Sequence, residues 1–229
     1  VSGGYWSNSA IKTDGTLWTW GWNTVGKLGH NNQTEYSSPK QVPGTTWRSL
    51  AFGLYFAVAT KTDGTLWTWG NNPEGGLGQN NTTKYSSPVQ VPGTTWDVVA
   101  ATNGASLATK TDGTLWAWGR NEDGSLGFNN RDESHTPKQV GSATNWTVVQ
   151  GNNPSAAIGA KQDGSLWVWG NNNLGMMGQN ESSGNKRISA PTQIPGKWTN
   201  LSAPNTEGVR QHQITQRGDV MFALQYVLG

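Results

Sequence analysis

The chain contains no cysteine in 229 residues. That excludes disulfide cross-links and thiolate metal sites, while leaving a secreted or virion-borne setting open, since such proteins need no disulfides. It also has no apolar stretch approaching the roughly 20 residues that cross a bilayer as a helix, so it offers no membrane segment. Charge is sparse, with 16 Lys and Arg against 14 Asp and Glu and a net charge of +2. Like charges form no run longer than two, and a nucleic-acid footprint needs clustered Lys and Arg, so there is no clear nucleic-acid signal. Aliphatic bulk is short as well. Hydrophobic residues make up 33% and the mean hydropathy is −0.62, so the core cannot rest on Leu, Ile and Val alone. No signal-like segment opens the chain at Val1, which is read as a processed product or part of something longer.

What the chain does hold is 14 Trp and 31 Gly. Large flat side chains beside glycines point to strands drawn together by close turns. The tryptophans are periodic. KTDGTLWTWG ends at Gly21 and recurs identically ending at Gly70, then returns as KTDGTLWAWG ending at Gly119 and KQDGSLWVWG ending at Gly170. The turn aspartates Asp14, Asp63, Asp112 and Asp163 are spaced 49, 49 and 51 residues apart. A decayed fifth copy, TQRGDVMFAL, places Arg217 where Asp163 stood, 54 residues on.

Other features keep step with these. Each full copy continues as N-x-x-G-x-[LM]-G, at Gly26 to Gly29, Gly75 to Gly78, Gly124 to Gly127 and Gly175 to Gly178. A Pro-x-Gln-[VI] segment follows at Pro39, Pro88, Pro137 and Pro191, and then a lone Trp47, Trp96, Trp146 or Trp198. Such a period is the mark of a repeat architecture. The chain is read as one domain, 1–229, with units of approximately 1–46, 47–95, 96–145, 146–197 and 198–229.

Each unit reads as β. Asp-Gly between alternating segments predicts a hairpin with a type I′ turn, both of whose central residues have positive φ. In Leu66-Trp67-Thr68-Trp69 a period of two sends the indoles to one face and Leu66 and Thr68 to the other. Both faces suit burial, as in a strand between neighbouring sheets. Pro39 and Pro88 suit an edge strand, where a missing N–H is harmless. No stretch carries helical periodicity. Four short strands in about 49 residues, repeated radially, make propeller blades. The repeated residues Asp14, Gly15, Trp18 and Trp20, with Asp63, Gly64, Trp67 and Trp69, Asp112, Gly113, Trp116 and Trp118, and Asp163, Gly164, Trp167 and Trp169, are therefore read as structural. Burying one indole removes roughly 150–250 Å² from water, worth up to about 4–6 kcal/mol before entropy is counted.

The pattern DG-x-LW-x-WG-x-N-x-x-G-x-LG, followed by SP-x-QV and W-x-x-[VL], resembles the regulator of chromosome condensation repeat over nearly the whole chain. The resemblance implies an all-β fold, a β-propeller of four-stranded blades. Family members usually have seven blades, whereas hairpins are counted here at 10–20, 58–69, 107–118, 158–169 and 212–224. Val1-Ser2-Gly3-Gly4 aligns with Leu50-Ala51-Phe52-Gly53, and the last residues resemble Gln41-Val42-Pro43-Gly44. The leading reading is a closed five-bladed ring whose first and last segments share a blade. A fragment or open arc of a seven-bladed propeller is the alternative. Some relatives are exchange factors for a small GTPase on chromatin, and a bacterial relative inhibits β-lactamases with one propeller face. The near-identical, Asn- and Thr-rich repeats resemble copies carried by bacteria and bacteriophages, which implies a virion-surface or tail-associated protein. A fold alone licenses none of these roles.

Catalytic and metal signals are sparse, and the chain is not read as an enzyme. His30, His135 and His212 hold different repeat positions without metal-ligand spacing, and no G-x-S-x-G is present. No cofactor is implied. The adjacent carboxylates Glu122 and Asp123, and Asp132 and Glu133, read as a solvated loop, with a cation site or an acid–base pair as the alternative. Lys12, Lys61, Lys110 and Lys161, each two residues before the turn Asp, form a ring near one rim. They are read as a solvated face, or alternatively as an anion-binding ring. Arg217-Gly218-Asp219 reads as the fifth hairpin's turn. Sequons at Asn32, Asn80, Asn81, Asn145, Asn180 and Asn200 matter only in a eukaryotic secretory pathway.

Comparing copies within the chain separates what a blade demands from what it leaves free. The freest stretch lies between the WG and the Pro of each unit. It reads HNNQTEYSS, QNNTTKYSS, FNNRDESHT and QNESSGNKRISA in the four copies, and just upstream Trp22 and Arg120 replace the Asn71 and Asn171 of the others. Loops carry most recognition on rigid scaffolds, and exposed aromatic and Arg side chains are the usual anchors. The candidate binding residues are Trp22, Tyr36, Tyr85, Arg120, Phe128, Arg131, His135 and Arg187, neutral drift being the competing account. The chain is thus read as a binding or structural module on a virion or cell surface, with an extracellular or virion-surface location and a protein or glycan surface as its partner, as part of a larger assembly. A propeller docking onto a small GTPase or an enzyme is the alternative, and a carbohydrate-active enzyme is the weakest.

Overall fold

The computed structural model describes residues 2–152, 155–179 and 186–198. These form four sheets of four antiparallel strands, each a meander in chain order. The first sheet holds β1 (Ser2–Gly4), β2 (Ser7–Ile11), β3 (Leu17–Gly21) and β4 (Tyr36–Gln41). The second holds β5 (Trp47–Phe52), β6 (Phe56–Lys61), β7 (Leu66–Gly70) and β8 (Tyr85–Val91). The third holds β9 (Trp96–Ala101), β10 (Ala105–Lys110), β11 (Leu115–Gly119) and β12 (Ser134–Gln139). The fourth holds β13 (Trp146–Asn152), β14 (Ala156–Lys161), β15 (Leu166–Asn171) and β16 (Arg187–Ile194). Strands β1, β5, β9 and β13 lie against one another from sheet to sheet, which sets them innermost. The proline-bearing β4, β8, β12 and β16 are the outer edges, paired on one side only. The fold is a β-propeller, and these are four of its blades. The hairpin at 212–224 lies outside the described residues.

Blade contacts follow directly from the repeat. Trp69 Nε1 donates to the Lys27 carbonyl of the preceding sheet at 2.8 Å, Trp118 to that of Gly76 at 2.9 Å, and Trp169 to that of Ser125 at 2.8 Å. All three indoles are fully buried. Each sits against the last glycine of the preceding G-x-[LM]-G. A side chain on Gly78 would press on Trp118 Nε1 at 2.9 Å, and Gly78 also needs its positive φ of 69°. The lone tryptophans complete the seam, with Trp47 edge-on to Trp67 and Trp69 at 6.3 and 5.8 Å, and Trp96 and Trp146 standing likewise in the next two sheets. Leu17, Val42 and Leu50 with Ala57 and Ala59 fill the same seam between the first two sheets.

The invariant asparagines after each WG are buried organisers of the next loop. Asn72 Oδ1 accepts from Leu77 N at 2.9 Å while its Nδ2 donates to the carbonyls of Asn81 and Thr83. Each loop then clasps the following blade's outer strand. The amides of Asn31, Asn80 and Asn129 donate to the carbonyls of Ser86, His135 and Ser189 at 2.7–2.9 Å. All three asparagines have φ of 56–59°, a left-handed geometry that Asn tolerates better than most residues.

The hairpin turn departs from the expected type. Gly15 has φ of 77°, yet Asp14 is not in the positive region. Gly15 N donates to Lys12 O, and Lys12 N to Thr16 O. This is a three-residue loop, a type I turn closed by a left-handed glycine. Asp14 needs the ordinary conformation because its carboxylate turns back onto Thr16.

Candidate binding rim

The two ends of the strands carry different chemistry. At the Asp-Gly end, Asp63 Oδ1 accepts from Thr65 N at 2.9 Å and from its hydroxyl at 2.6 Å, and that hydroxyl accepts from Trp67 Nε1 at 2.9 Å. The same chain links Asp14, Thr16 and Trp18, then Asp112, Thr114 and Trp116, then Asp163, Ser165 and Trp167. The hydroxyl bond, ahead of the amide, holds all four carboxyls below their usual pKa.

The lysines expected to ring this rim do not stand free. The Lys61 ammonium lies 4.7 Å from Trp47 and 4.5 Å from Trp67, Lys110 lies 4.6 Å from Trp96 and 4.0 Å from Trp116, and Lys161 repeats the arrangement on Trp146 and Trp167. Lys12 covers Trp18 alone. A cation over two indole faces braces the seam.

At the Trp-Gly end the four blades diverge. The turn before each second strand places Trp6, Tyr55, Gly104 and Ser155 at one position, where each carbonyl accepts from the residue after WG, namely Trp22, Asn71, Arg120 and Asn171. In the first two blades this makes a row of aromatics. Tyr5 and Trp6 have centroids 5.0 Å apart, Trp6 and Trp22 5.8 Å, and Trp22 and Tyr55 6.0 Å. Trp6 is 64% exposed, Tyr5 51% and Tyr55 39%, the three exposed large hydrophobics among the described residues. Trp6 also has φ of 56°. A bulky residue there costs about 1 kcal/mol that glycine would spare.

Beneath the row lies Lys27, fully buried, donating to the Tyr5 carbonyl at 2.8 Å and the Leu54 carbonyl at 3.1 Å. Its ammonium also faces the rings of Trp22 and Phe52 at 5.6 and 5.3 Å. It ties the exposed turns of two blades together, and burial pulls its pKa down to about 8.

Beside Tyr55 the row opens into a cleft of about 110 Å³ whose lining includes Asn71, Glu74, Asn103 and Arg120. Arg120 is held by Glu122, with Glu74 and Asp123 adding favourable charge, and these raise its pKa. Its Nε is buried without a hydrogen-bond partner.

Of the residues marked by divergence between copies, the structure brings Trp22 and Arg120 to this rim and sets the others on the outer flank of the blades. Tyr36 stacks edge-on with His30 at 5.1 Å and accepts from Lys40 Nζ at 2.6 Å, which holds its phenol below the usual value. Tyr85 and Phe128 pack against the cores of their seams. His135 presses on Gly75 of the preceding blade and has Glu133 at 3.8 Å, while Arg131 is exposed. Arg187 Nε pairs with Asp123 at 2.7 Å across the seam between the third and fourth sheets. Of the adjacent carboxylates, Glu122 and Asp123 are engaged by Arg120 and Arg187, whereas Asp132 and Glu133 are exposed. No group of three metal-ligating side chains occurs among the described residues. Copy comparison missed Tyr5, Trp6, Lys27 and Tyr55. The available signal was that Trp6 is a tryptophan outside the repeat pattern, and Lys27 the one charged residue inside the four G-x-[LM]-G segments.

Comparison with curated proteins finds no match. Among solved structures the chain is similar to Prp20p from Saccharomyces cerevisiae, reported with its binding properties to Gsp1p and histones, at 19% identity and a TM-score of 0.72 over 84% of this chain and 49% of that one. It is similar to the structure of Kap60 bound to yeast RCC1 (Prp20) at 18% identity and 0.71, over 84% and 47%. It is similar to human WBSCR16 at 20% identity and 0.68, over 84% and 50%. The chain spans about half the length of these structures, and the likeness is one of fold. Residues 14–60, 63–108 and 112–152 match the regulator of chromosome condensation (RCC1) repeat, and 47–75 match a second pattern of that repeat. These stretches cover more than half of the chain, and the protein belongs to the RCC1 repeat family.

Proposed function

We propose that this propeller is a non-catalytic binding module that presents its Trp-Gly rim to a protein or glycan surface, outside the cell or on a virion. The single observation that carries the reading is the aromatic row in which exposed Tyr5, Trp6 and Tyr55 flank the half-buried Trp22, with Trp6 in a strained backbone geometry. The fold does not require these residues, because other blades carry Asn and Gly in the places of Trp22 and Tyr55. Strain and exposure retained without a packing reason point to recognition.

The test is attachment of the purified chain to intact cell-envelope material, comparing the parent with a Trp6→Gly, Trp22→Asn, Tyr55→Gly variant. Loss of attachment in a variant that melts as the parent does supports the reading. Equal attachment by both counts against it. A second reading, docking onto a small GTPase, is favoured by the likeness to Prp20p, a protein reported with its binding properties to Gsp1p and histones. Nucleotide exchange on a purified GTPase that is stimulated by the chain and indifferent to the rim variant would replace the first reading with this one.

A further inference from the structure

We infer that the rim from Trp22 across Tyr55 to Arg120 is a binding site for a neutral oligosaccharide, an inference that rests on the binding-module reading above. Two features of the site match that ligand class. A pyranose presents an apolar C–H face and a girdle of hydroxyls, so it needs an aromatic surface beside convergent polar groups. Tyr55 supplies both the end of the aromatic row and one wall of the cleft. The same cleft is lined by Asn71 and Asn103, whose side-chain amides make no hydrogen bond to the described residues and are left for a ligand. Arg120 Nε adds a buried donor without a partner, a state that is unfavourable until an acceptor arrives.

Charge selects the sugar. Arg120 is paired with Glu122, and Glu74 also faces the cleft, so the guanidinium is already compensated. A sulfated or carboxylated sugar would meet those carboxylates, whereas a neutral hydroxyl can accept from Arg120 Nε and donate to Glu74. A protein partner fits less well. Its apolar anchor would need a closed patch, and here the rings stand edge to face in a row with a polar cleft at its end. Lys27 holds the turns under the row at fixed height, so little ordering is left for the ligand to impose.

The experiment titrates the full chain, by calorimetry and tryptophan fluorescence, with neutral hexose and N-acetylhexosamine oligosaccharides and with sulfated counterparts, at low and high salt. The expected result is binding of at least one neutral oligosaccharide, unchanged by salt and weakened at least tenfold by Trp22→Asn or by Asn103→Ala. Lys12→Ala at the opposite rim serves as the control and should leave affinity unchanged. Asn occupies the place of Trp22 in two other blades, and the half-buried Asn103 bonds its neighbours through its backbone carbonyl, which alanine keeps, so both variants should fold as the parent does. Preference for sulfated sugars with steep salt dependence overturns the inference, as does equal binding by both rim variants. If no oligosaccharide binds while the rim variant still abolishes attachment to envelope material, the sugar assignment fails and the module reading stands. If attachment is also indifferent to the rim, both fail.

Discussion

The Asp-Gly ends of the four sheets and their Trp-Gly ends come from one repeat, yet they have parted in opposite directions. At the first end every blade carries the same chain of carboxylate, hydroxyl and indole, with a lysine over the ring. At the second end one geometric position holds Trp22, Asn71, Arg120 and Asn171 in turn. The first end is constrained because each of its groups satisfies another, so no member changes without leaving a polar atom or a seam unfilled. At the second, the residue after WG is fixed in every blade by the same backbone bond, such as Trp22 N to Trp6 O, and its side chain can differ from blade to blade. One end holds the blades together, and the other is free to recognise.

Substitutions should divide along the same line. The largest expected effect is Trp69→Ala, which empties the seam between the first two sheets and orphans the Lys27 carbonyl. It should cost about 3–5 kcal/mol in urea or thermal unfolding. Trp20→Ala, at the equivalent but only half-buried position, should cost about half as much. Equal losses would show that the seam is not what makes Trp69 matter.

Lys27 tests the boundary between the regions. Its folded pKa of about 8 lies below the ordinary lysine value near 10.5, so between those pH values the unfolded chain binds the proton more tightly. The parent should therefore gain stability relative to Lys27→Met as pH rises from 8 to 10.5, by about 1–3 kcal/mol. A pH-independent difference between the two melting curves would place the ammonium in water. Thr65→Val keeps the shape and removes the hydroxyl between Asp63 and Trp67, for a loss of about 1–2 kcal/mol.

The smallest effect is at His30. Burial, and after it Lys40, lowers its pKa to about 4, so the folded protein loses stability as pH falls from 6.5 towards 4. His30→Gln, which installs the residue found at Gln79 and Gln179, should flatten that part of the acid limb. An unchanged acid limb would mean that His30 protonates freely in the fold.

What the repeat shows in sequence, the structure bears out where periodicity alone decides. The paired strands, the outer place of Pro39 and Pro88, and the burial of Trp69, Trp118 and Trp169 all follow from alternation and the missing proline N–H. What escaped depends on contacts that no local rule states. Asp-Gly suggests a type I′ turn, but the Thr16 hydroxyl and amide hold the Asp14 carboxylate and with it an ordinary φ. The lysines look like a solvated ring until the lone tryptophan of the same sheet is placed beneath them. The aromatic row is invisible because Trp6, Trp22 and Tyr55 come from different loops and only radial packing unites them. Divergence between copies was a blunt guide, because a seam fastener diverges as readily as a contact residue. Arg187 differs from its counterparts, and the structure pairs it with Asp123.

The most direct measurement is the melting temperature of the triple variant Trp6→Gly, Trp22→Asn, Tyr55→Gly, run beside Trp69→Ala. All three replacements are residues that another blade carries at the same place, and glycine at position 6 also relieves the strained φ. The account predicts a melting temperature within about 2 °C of the parent for the triple variant and a fall of about 10 °C for Trp69→Ala. A triple variant that melts as low as Trp69→Ala would contradict it, because the exposed aromatics would then be part of the frame.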